Sequence, residues 1–535
     1  LLTECQHQIQ GSSCMNQTTN DHHFKFSIIS AVYNAAPYLR EAIDSILSQD
    51  IGFTESVELI LVNDGSTDNS GLICDEYQQK YPANIRVIHK PNGGVASARN
   101  AGITVARGRY INFMDSDDKL TSDTLSAVYD FFSRHDQEID LVSVPIYYFE
   151  QKSEPHRLNY KYASGKAQII DLTKQYSYVQ MSSASAFFKE EVLNAGTFDT
   201  SLRYAEDSKA IMNLFLKNPK YGIVPQGRYL YRSRNAMDSA LNGSKQHREW
   251  YIDCLKHYIF WALDKAQAQF GYIPAFVQYN IMYDLQGRFK VDEIPASVLS
   301  SHEKEIFLKM LFDAVFRIDD HIILEQRNLS KELKDYIMSI KKAPDSGNLQ
   351  YDTAKEDAWF QYSDLNTAHA SSYQIRLTSM EIMEHDVLLN GSAKIYLRFP
   401  YPSRLFLRIT SGKHTQTVNC CFHEDPEHVF SFNGQKLAVF LQFTAALPVD
   451  LFSGTVHIEF CIDIDGHTIC YRNLCLMPEF PINTEQNPIL LNGKNYHILY
   501  EAQTLTFEHA TPFSRIKNKT ASCLRKIRKK YKSIL

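Results

Sequence analysis

Short apolar runs alternate with stretches of helical spacing near the start of this chain, and this alternation constrains the fold more than any other feature. The apolar runs cover residues 26–32, 59–62 and 110–114, a further strand-like segment covers 84–89, and helical spacing covers 38–48 and 95–106. Continuous apolar runs of this length are typical of strands that are buried on both faces of a parallel sheet. The alternation therefore predicts an α/β domain whose helices cover the sheet.

Polar motifs follow the predicted strands at their carboxyl ends. They are Tyr33-Asn34, Asn63-Asp64-Gly65-Ser66, Asn92-Gly93-Gly94 and Asp115-Ser116-Asp117-Asp118. In a doubly wound sheet, ligands bind at the edge where the carboxyl ends of the strands lie. We therefore expect these motifs to meet in one site.

Asp115, Asp117 and Asp118 place three carboxylates within four positions. At an effective dielectric of about 20 and a separation of about 5 Å, each pair of charges repels by roughly 3 kcal/mol. A bound cation would relieve this repulsion, and oxygen ligands favour Mg²⁺ or Mn²⁺ held jointly with substrate phosphates. The alternative is a solvated turn whose last Asp caps the following helix.

These residues resemble family-2 glycosyltransferases, which have the GT-A (Rossmann-like) α/β fold that binds nucleotide sugars. The resemblance covers about residues 24–235 and includes Ala98-Arg99-Asn100 and Glu206-Asp207. It implies metal-dependent, inverting transfer of a sugar from a nucleotide-diphosphate donor such as a UDP-sugar, with Mn²⁺ or Mg²⁺ as cofactor. The enzymes it most resembles build bacterial capsule or teichoic acid, so the expected acceptor is a hydroxyl of a polysaccharide or lipid-linked glycan.

The resemblance also implies roles for the acidic residues. Asp207 is expected to be the catalytic base, with Glu206 as its neighbour. The alternative is an ordinary helix N-terminus, where the helix dipole favours acidic residues. Asp117 is expected to bind the metal with Asp115 and Asp118 nearby, although Asp115 could instead reach the ribose.

A further set of residues is expected to line the nucleotide site. They are Val32, Tyr33, Asn34, Asp64, Asn92, Arg99, Asp115, Arg232 and Arg234. Asp64 is expected to accept a hydrogen bond from a uracil N–H, and Arg232 and Arg234 are expected to lie over phosphate. Arg99 could equally be a structural bridge across the sheet edge.

Two other functions share parts of this pattern. One is transfer of a phospho-alditol or nucleotidyl group in the same pathway, which needs the same metal chemistry. The other is a non-catalytic glycan-binding scaffold, and the intact Asp117 and Asp207 argue against it.

The length of 535 residues predicts several domains. The predicted segments are a disordered leader (1–23), the GT-A domain (24–240), a helical subdomain (241–345), a linker (346–369), a β-sandwich-like accessory domain (370–510) and a basic amphipathic tail (511–535). Period-two alternation supports the sandwich. Turns are predicted at Asn390-Gly391, Ser411-Gly412, Asn433-Gly434 and Asp465-Gly466. We expect this domain to bind glycan or to form a homo-oligomer.

Cysteine usage and charge indicate the compartment and the partners. The ten cysteines include no Cys-x-x-Cys spacing, which is typical of reduced thiols in a cytoplasmic protein without a zinc site. Residues 515–532 contain nine Lys or Arg and no Asp or Glu, with apolar residues at helical spacing. This tail predicts peripheral binding to the anionic inner face of the cell membrane. The net charge of −5 and the absence of an aromatic and basic platform argue against nucleic acid.

Overall fold

The computed structural model of the protein describes residues 23–234, 243–342, 348–362, 365–366, 369–477, 480, 489–491, 494–501 and 504–509. The tail predicted at 511–535 and nearly all of the leader predicted at 1–23 lie outside these residues. Within the described ranges, no helix is long and apolar enough to cross a bilayer. The chain divides into two compact units, residues 1–281 and 282–535.

The strands of the first unit are β1 (Phe24–Val32), β2 (Val57–Asp64), β3 (Ile85–Lys90), β4 (Gly108–Phe113), β5 (Lys119–Leu120), β6 (Leu141–Ser143), β7 (Ile146–Glu150), β8 (Gln168–Asp171), β9 (Ala186–Lys189), β10 (Lys220–Ile223) and β11 (Tyr229–Ser233). Eight of them form one sheet in the order β3-β2-β1-β4-β9-β6-β10-β8. Strands β1 to β4 pair in parallel, whereas β9 runs antiparallel to both of its neighbours. A smaller sheet has the order β5-β11-β7.

The helices are α1 (Ala36–Leu47), α2 (Phe53–Ser56), α3 (Ser70–Lys80), α4 (Gly94–Ile103), α5 (Thr124–His135), α6 (Glu206–Phe215), α7 (Arg248–Tyr251), α8 (Trp261–Phe270), α9 (Ala275–Leu285), α10 (Ser301–Phe316), α11 (Asp320–Glu325) and α12 (Lys331–Lys341). Shorter turns of helix lie at Arg157–Tyr162, Glu190–Val192, Ser244–Gln246, Leu255–Phe260, Arg288–Lys290, Ala370–Ser372 and Val449–Leu451. The predicted alternation of strand and helix is confirmed. Helices of the range 241–345, predicted as one subdomain, are divided between the two units.

The core of the first unit explains the continuous apolar run at 59–62. Every residue of β2 is buried, so the strand is enclosed on both faces. Phe26 of β1 packs against Tyr110 of β4 and Phe187 of β9, with ring centroids 5.7 and 5.9 Å apart. This packing fixes the strands whose carboxyl ends carry the polar motifs.

The second unit is rich in strands. They are β12 (Asn348–Asp352), β13 (Asp357–Tyr362), β14 (Leu365–Asn366), β15 (Gln374–Ile382), β16 (Asp386–Tyr396), β17 (Arg404–Ser411), β18 (His414–Asn419), β19 (Cys421–Phe432), β20 (Gln435–Pro448), β21 (Val456–Ile464), β22 (His467–Cys470), β23 (Asn473–Leu476), β24 (Ile489–Leu491), β25 (Lys494–Glu501) and β26 (Thr504–His509). Strands β12 to β14 form a small sheet in the range for which we predicted a linker.

Two larger sheets form the predicted sandwich-like part of this unit. One has the order β19-β20-β16-β15-β23, and the other runs from β18 through β17, β21, β26 and β25 to β24, with β22 paired to β21. The rings of Phe443 and Phe460, one from each sheet, lie 6.0 Å apart. The sheets therefore contact each other through aromatic side chains.

Three of the four predicted turns in this unit are confirmed, and one prediction was wrong. Residues 411–412, 433–434 and 465–466 connect paired strands, and each glycine has positive φ. Gly391, by contrast, lies inside β16. A Cβ there would lie 2.7 Å from a ring carbon of Phe443, so this glycine is required by close packing rather than by a turn.

Candidate active site

The loops that follow β1 and β2 are fastened to each other. The side-chain oxygen of Asn34, a residue with φ of 50°, accepts a hydrogen bond of 2.8 Å from the backbone N–H of Thr67. The backbone N–H of Asn34 donates to Ser66 Oγ at 3.1 Å, and Ser66 N–H donates to Asn63 Oδ1 at 3.0 Å. Asn accepts positive φ more readily than most residues, which suits this tight turn. Val32 is buried just before the turn, and Tyr33 is half exposed.

Asp64 fixes the start of α4 against the end of β2. Its buried carboxylate accepts hydrogen bonds from the backbone N–H groups of Gly93 and Gly94, at 3.0 and 2.8 Å, and forms an ion pair with Lys90. Asn92 also lies close to the loop after β2. A Cβ on Gly65 would lie only 2.8 Å from the backbone nitrogen of Asn92. Lys90 was missed by the sequence analysis, because a lysine that ends a strand gives no motif signal.

Arg99 links the end of β4 to the start of α6, which are far apart in the chain. Its guanidinium donates to Glu206 at 2.8 Å and to Asp115 at 3.2 Å, and the Arg99 side chain is only 7% exposed. The ring of Phe198 covers the guanidinium at 5.3 Å. The structure thus brings together three of the predicted site residues, and this geometry matches the bridging role that we considered for Arg99.

The three carboxylates after β4 have different partners. Both oxygens of the buried Asp118 accept hydrogen bonds of 2.7 Å, from the Tyr229 hydroxyl and from the backbone N–H of Arg232. Asp117 forms an ion pair with Arg234, while Asp115 contacts Arg99. Burial raises the pKa of Asp118 first, and the charges of the two other aspartates raise it further. Among the described residues, no three acidic, His or Cys side chains are gathered as metal ligands.

Arg232 is enclosed by protein groups. Its guanidinium contacts the carboxylates of Glu41 and Glu150 and the backbone oxygen of Asp117, the last at 2.7 Å. The ring of Phe149 lies 4.5 Å from the guanidinium carbon. The side chain is 3% exposed, so these contacts fasten the Asp117 loop to the neighbouring elements. The side chain of Arg234 is more exposed than that of Arg232.

Glu206 and Asp207 form the first turn of α6, after Ala205 in the left-handed region. Burial, followed by the charge of Asp207, raises the pKa of Glu206 to about 7. Asp207 accepts hydrogen bonds from the backbone N–H groups of Ser183 and Ser208, at 3.2 and 2.9 Å, and its pKa is raised by burial.

The charge of Asp207 also raises the pKa of Asp115, after the larger effect of burial. Asp115, which follows β4, and Asp207, in the first turn of α6, thus share one electrostatic environment with Asp117. A carboxylate with a raised pKa is a better proton acceptor near neutral pH. The arrangement can therefore accept a proton at Asp207, beside the residues that Arg99 joins.

Comparisons with known proteins identify the family of the chain. Residues 27–196 match the family described as Glycosyl transferase family 2. The chain is 35% identical over 363 residues to the minor teichoic acid biosynthesis protein GgaB of Bacillus subtilis strain 168. The matched region covers 68% of this chain and 40% of GgaB. The chain is 31% identical to GgaA of the same organism, also named a minor teichoic acid biosynthesis protein, over 59% of this chain and 72% of GgaA.

The fold also resembles a solved structure. The crystal structure of Staphylococcus aureus TarS matches 91% of this chain and 85% of its own, with a TM-score of 0.57 and 16% identity, which indicates a shared fold. The chain belongs to glycosyl transferase family 2, a family of sugar-transferring enzymes. It spans well under two thirds of the length of GgaB.

Proposed function

We propose that this chain transfers a sugar from a nucleotide-diphosphate donor, a UDP-sugar, to a hydroxyl of a growing cell-surface polysaccharide such as teichoic acid or capsule. The observation that carries the proposal is the joining of Asp115 and Glu206 by Arg99, with Asp207 alongside, at the carboxyl edge of the parallel strands. The names of GgaB and GgaA support the acceptor class.

Asp207 is the proposed general base. In an inverting transfer, the acceptor oxygen attacks the sugar carbon, the bond from that carbon to the diphosphate breaks, and the hydroxyl proton passes to the base. Asp207 suits this step because its carboxylate is held by two backbone N–H groups and its pKa is raised by burial. Glu206 is held by Arg99 beside Asp207.

Asp117 and Asp115 are the residues we propose for Mn²⁺ or Mg²⁺. Both side chains are partly exposed, whereas both oxygens of Asp118 already accept hydrogen bonds within the protein. One or two carboxylates fit these ions, which take their remaining ligands from water and substrate phosphates. A bound ion would neutralise charge on the departing diphosphate. Arg234 balances the charge of Asp117 in this structure.

Asp64 is proposed to recognise the nucleobase. Its carboxylate offers about four acceptor positions, and the Lys90 ammonium and the backbone N–H groups of Gly93 and Gly94 donate to both of its oxygens. A uracil N–H would replace one of these donors. Asn34 and Asn92 are proposed to line the same site, because the loops that carry them are held against the loop that contains Asp64.

Donor hydrolysis with a panel of UDP-, GDP- and CDP-linked substrates tests the proposal. We expect slow, metal-dependent release of UDP from one UDP-sugar, and faster release when an acceptor glycan is added. Cleavage of a CDP-alditol, with no cleavage of any nucleotide sugar, would identify the phospho-alditol reaction instead. Binding of glycan without turnover of any donor would indicate the non-catalytic scaffold.

The remaining predictions concern where the enzyme works. We propose that the tail at 511–535, outside the described residues, docks the chain on anionic lipid near its acceptor, because its cationic residues each contribute about 1 kcal/mol near such a surface. Glycan binding or oligomerisation through the strand-rich unit stays a prediction.

A further inference from the structure

Two cysteines lie opposite each other on neighbouring strands of the second unit. Cys461 of β21 is the register partner of Cys470 of β22 in an antiparallel pair. Both thiols are free, and their sulfur atoms lie 2.8 Å apart. The turn between the strands consists of Asp465 and Gly466, which both have positive φ, as a two-residue hairpin turn requires. This turn fixes the register that brings the two thiols together.

The strand positions of these cysteines suit a disulfide bond. The backbone N–H of Tyr471 donates to the oxygen of Phe460 at 2.9 Å, which marks the adjacent residues as a hydrogen-bonded pair. Hydrogen-bonded and non-hydrogen-bonded pairs alternate along an antiparallel ladder, so Cys461 and Cys470 form a non-hydrogen-bonded pair, with Cα atoms about 4.5 Å apart. Disulfides need a Cα separation of roughly 4.4–6.8 Å. The two sulfur atoms have to approach by less than about 1 Å to reach bonding distance.

The protein encloses one of these cysteines more than the other. Cys461 is fully buried, whereas Cys470 is 9% exposed. The hydrogen bond with Cys470, followed by burial, raises the pKa of Cys461 above its usual range. Cys461 therefore keeps its proton and can donate it to the sulfur of Cys470. A thiolate on Cys470, the cysteine of the pair that solvent reaches, would accept this hydrogen bond.

Arg408 of β17 holds the end of β22 in place. Its guanidinium lies 3.8 Å from the sulfur of Cys470 and pairs with Glu356 at 2.6 Å and with Glu459 at 3.4 Å. These two carboxylates balance the charge of Arg408, so its contribution is to position Cys470. The buried ring of Phe406 belongs to the same cluster as the two cysteines. The surrounding side chains thus hold the pair in the arrangement that a bond requires.

We propose that Cys461 and Cys470 are a reversible thiol–disulfide site, which small-molecule disulfides oxidise. The thiolate of Cys470 attacks one sulfur of the oxidant, whose other sulfur leaves as a thiolate, and a mixed disulfide forms. Cys461 then loses its proton and attacks the sulfur of Cys470, which releases the second thiolate. The two protein thiols lose two electrons and two protons in total, and these convert the oxidant into two thiols.

A disulfide here would tie the two strands of the hairpin to each other covalently. The backbone N–H of Cys470 also donates to the oxygen of Glu356, the residue before β13, at 2.9 Å. The bond would therefore also help to hold β22 against β13. Because the reaction takes place in the second unit and needs no sugar donor, its test does not depend on the proposed function.

Peptide mass spectrometry of the full chain tests the proposal. The reduced chain is incubated with hydroxyethyl disulfide, unfolded, treated with iodoacetamide to block the remaining thiols, and digested with trypsin. Both cysteines fall in one peptide, residues 437–472, because no Lys or Arg lies between Lys436 and Arg472. We expect this peptide to lose about 2 Da, the mass of the two thiol hydrogens, and to take up no blocking group. Dithiothreitol should reverse both changes.

The neighbouring peptide, residues 414–436, is a matched control because it contains the adjacent cysteines Cys420 and Cys421. Consecutive Cα atoms are about 3.8 Å apart, which is shorter than the roughly 4.4 Å that a disulfide needs. This peptide should therefore not lose two hydrogens, although Cys421 is exposed. Cys470→Ala should prevent the change in peptide 437–472, whereas Cys421→Ser should leave that change as in the wild type.

Equilibration in a fixed mixture of hydroxyethyl disulfide and its thiol tests the part that the fold plays. Because the fold holds the two sulfurs together, the ratio of disulfide to dithiol should be at least about tenfold higher in the native chain than in concentrated urea. An equal ratio under both conditions would overturn the proposal. Two blocking groups on the wild-type peptide 437–472 after oxidation, or an equal loss of hydrogens from peptide 414–436, would overturn it as well.

Discussion

Replacement of Arg99 by Met removes the positive charge that Glu206 and Asp115 share while it keeps a long side chain. Glu206 is 9% exposed, so its carboxylate would lose its principal partner inside the protein. Removal of one partner from a buried ion pair costs about 3–5 kcal/mol. We expect a loss of this size in the free energy of unfolding at pH 8.

The loss should depend on pH in a defined direction. The pKa of Glu206 is raised from 4.5 to about 7, so the folded state binds a proton more tightly than the unfolded state between these values. Its contribution to stability therefore falls as the pH rises from about 4.5 to about 7. Without Arg99 the pKa rises further, because Arg99 lowers it in the native protein. The difference between wild type and Arg99→Met should thus be smaller at pH 6 than at pH 8.

Urea unfolding of the full chain, followed by circular dichroism at both pH values, measures this difference. The double variant Arg99→Met, Glu206→Gln should recover part of the lost stability, since an amide leaves no buried charge unpaired. A wild-type midpoint for Arg99→Met at both pH values would refute the reasoning. A double variant that is no more stable than the single one would refute it as well.

Asp117→Asn should abolish turnover with the fold intact, and EDTA should do the same to the wild type until Mn²⁺ or Mg²⁺ is restored; full activity of the variant with excess chelator would remove the metal from the account. Gly65→Ala should cost more than about 1–2 kcal/mol of stability in thermal unfolding, because Gly65 has φ of 73° and a Cβ would meet the backbone of Asn92 at 2.8 Å. Gly165→Ala, at φ of 66° with open space around it, should cost only the backbone strain, and equal losses would contradict this argument. The full chain should float with anionic liposomes, whereas a form without 512–535 should not; equal flotation of both would exclude the tail as an anchor.

The sheet and the polar motifs at its edge could be predicted from the sequence because their signals are local. β2 contains a continuous apolar run, and the motif that contains Asp64 directly follows that run. The turn wrongly predicted at 390–391 shows the limit of such signals. An Asn-Gly pair favours a turn locally, but β16 pairs with β20 along its whole length, and long-range pairing prevails over the local preference.

The partners of the site residues could not be predicted in the same way. Arg232 was expected over phosphate, yet its guanidinium contacts Glu41 and Glu150, which come from α1 and β7. The two oxygens of Asp118 are used by residues of β11, more than a hundred positions later in the chain. No spacing rule connects such residues, because only the packed fold brings them together.

The role of Asp207 as the base is the central claim, and Asp207→Asn tests it most directly. A general base acts in the chemical step, so kcat should fall by about 10²–10⁴-fold while the affinity for UDP measured by calorimetry stays nearly unchanged. Glu76→Gln, which alters a carboxylate that is 59% exposed and paired with Arg40, should leave both quantities as in the wild type. An unchanged kcat in Asp207→Asn, or loss of UDP binding in that variant, would contradict the account.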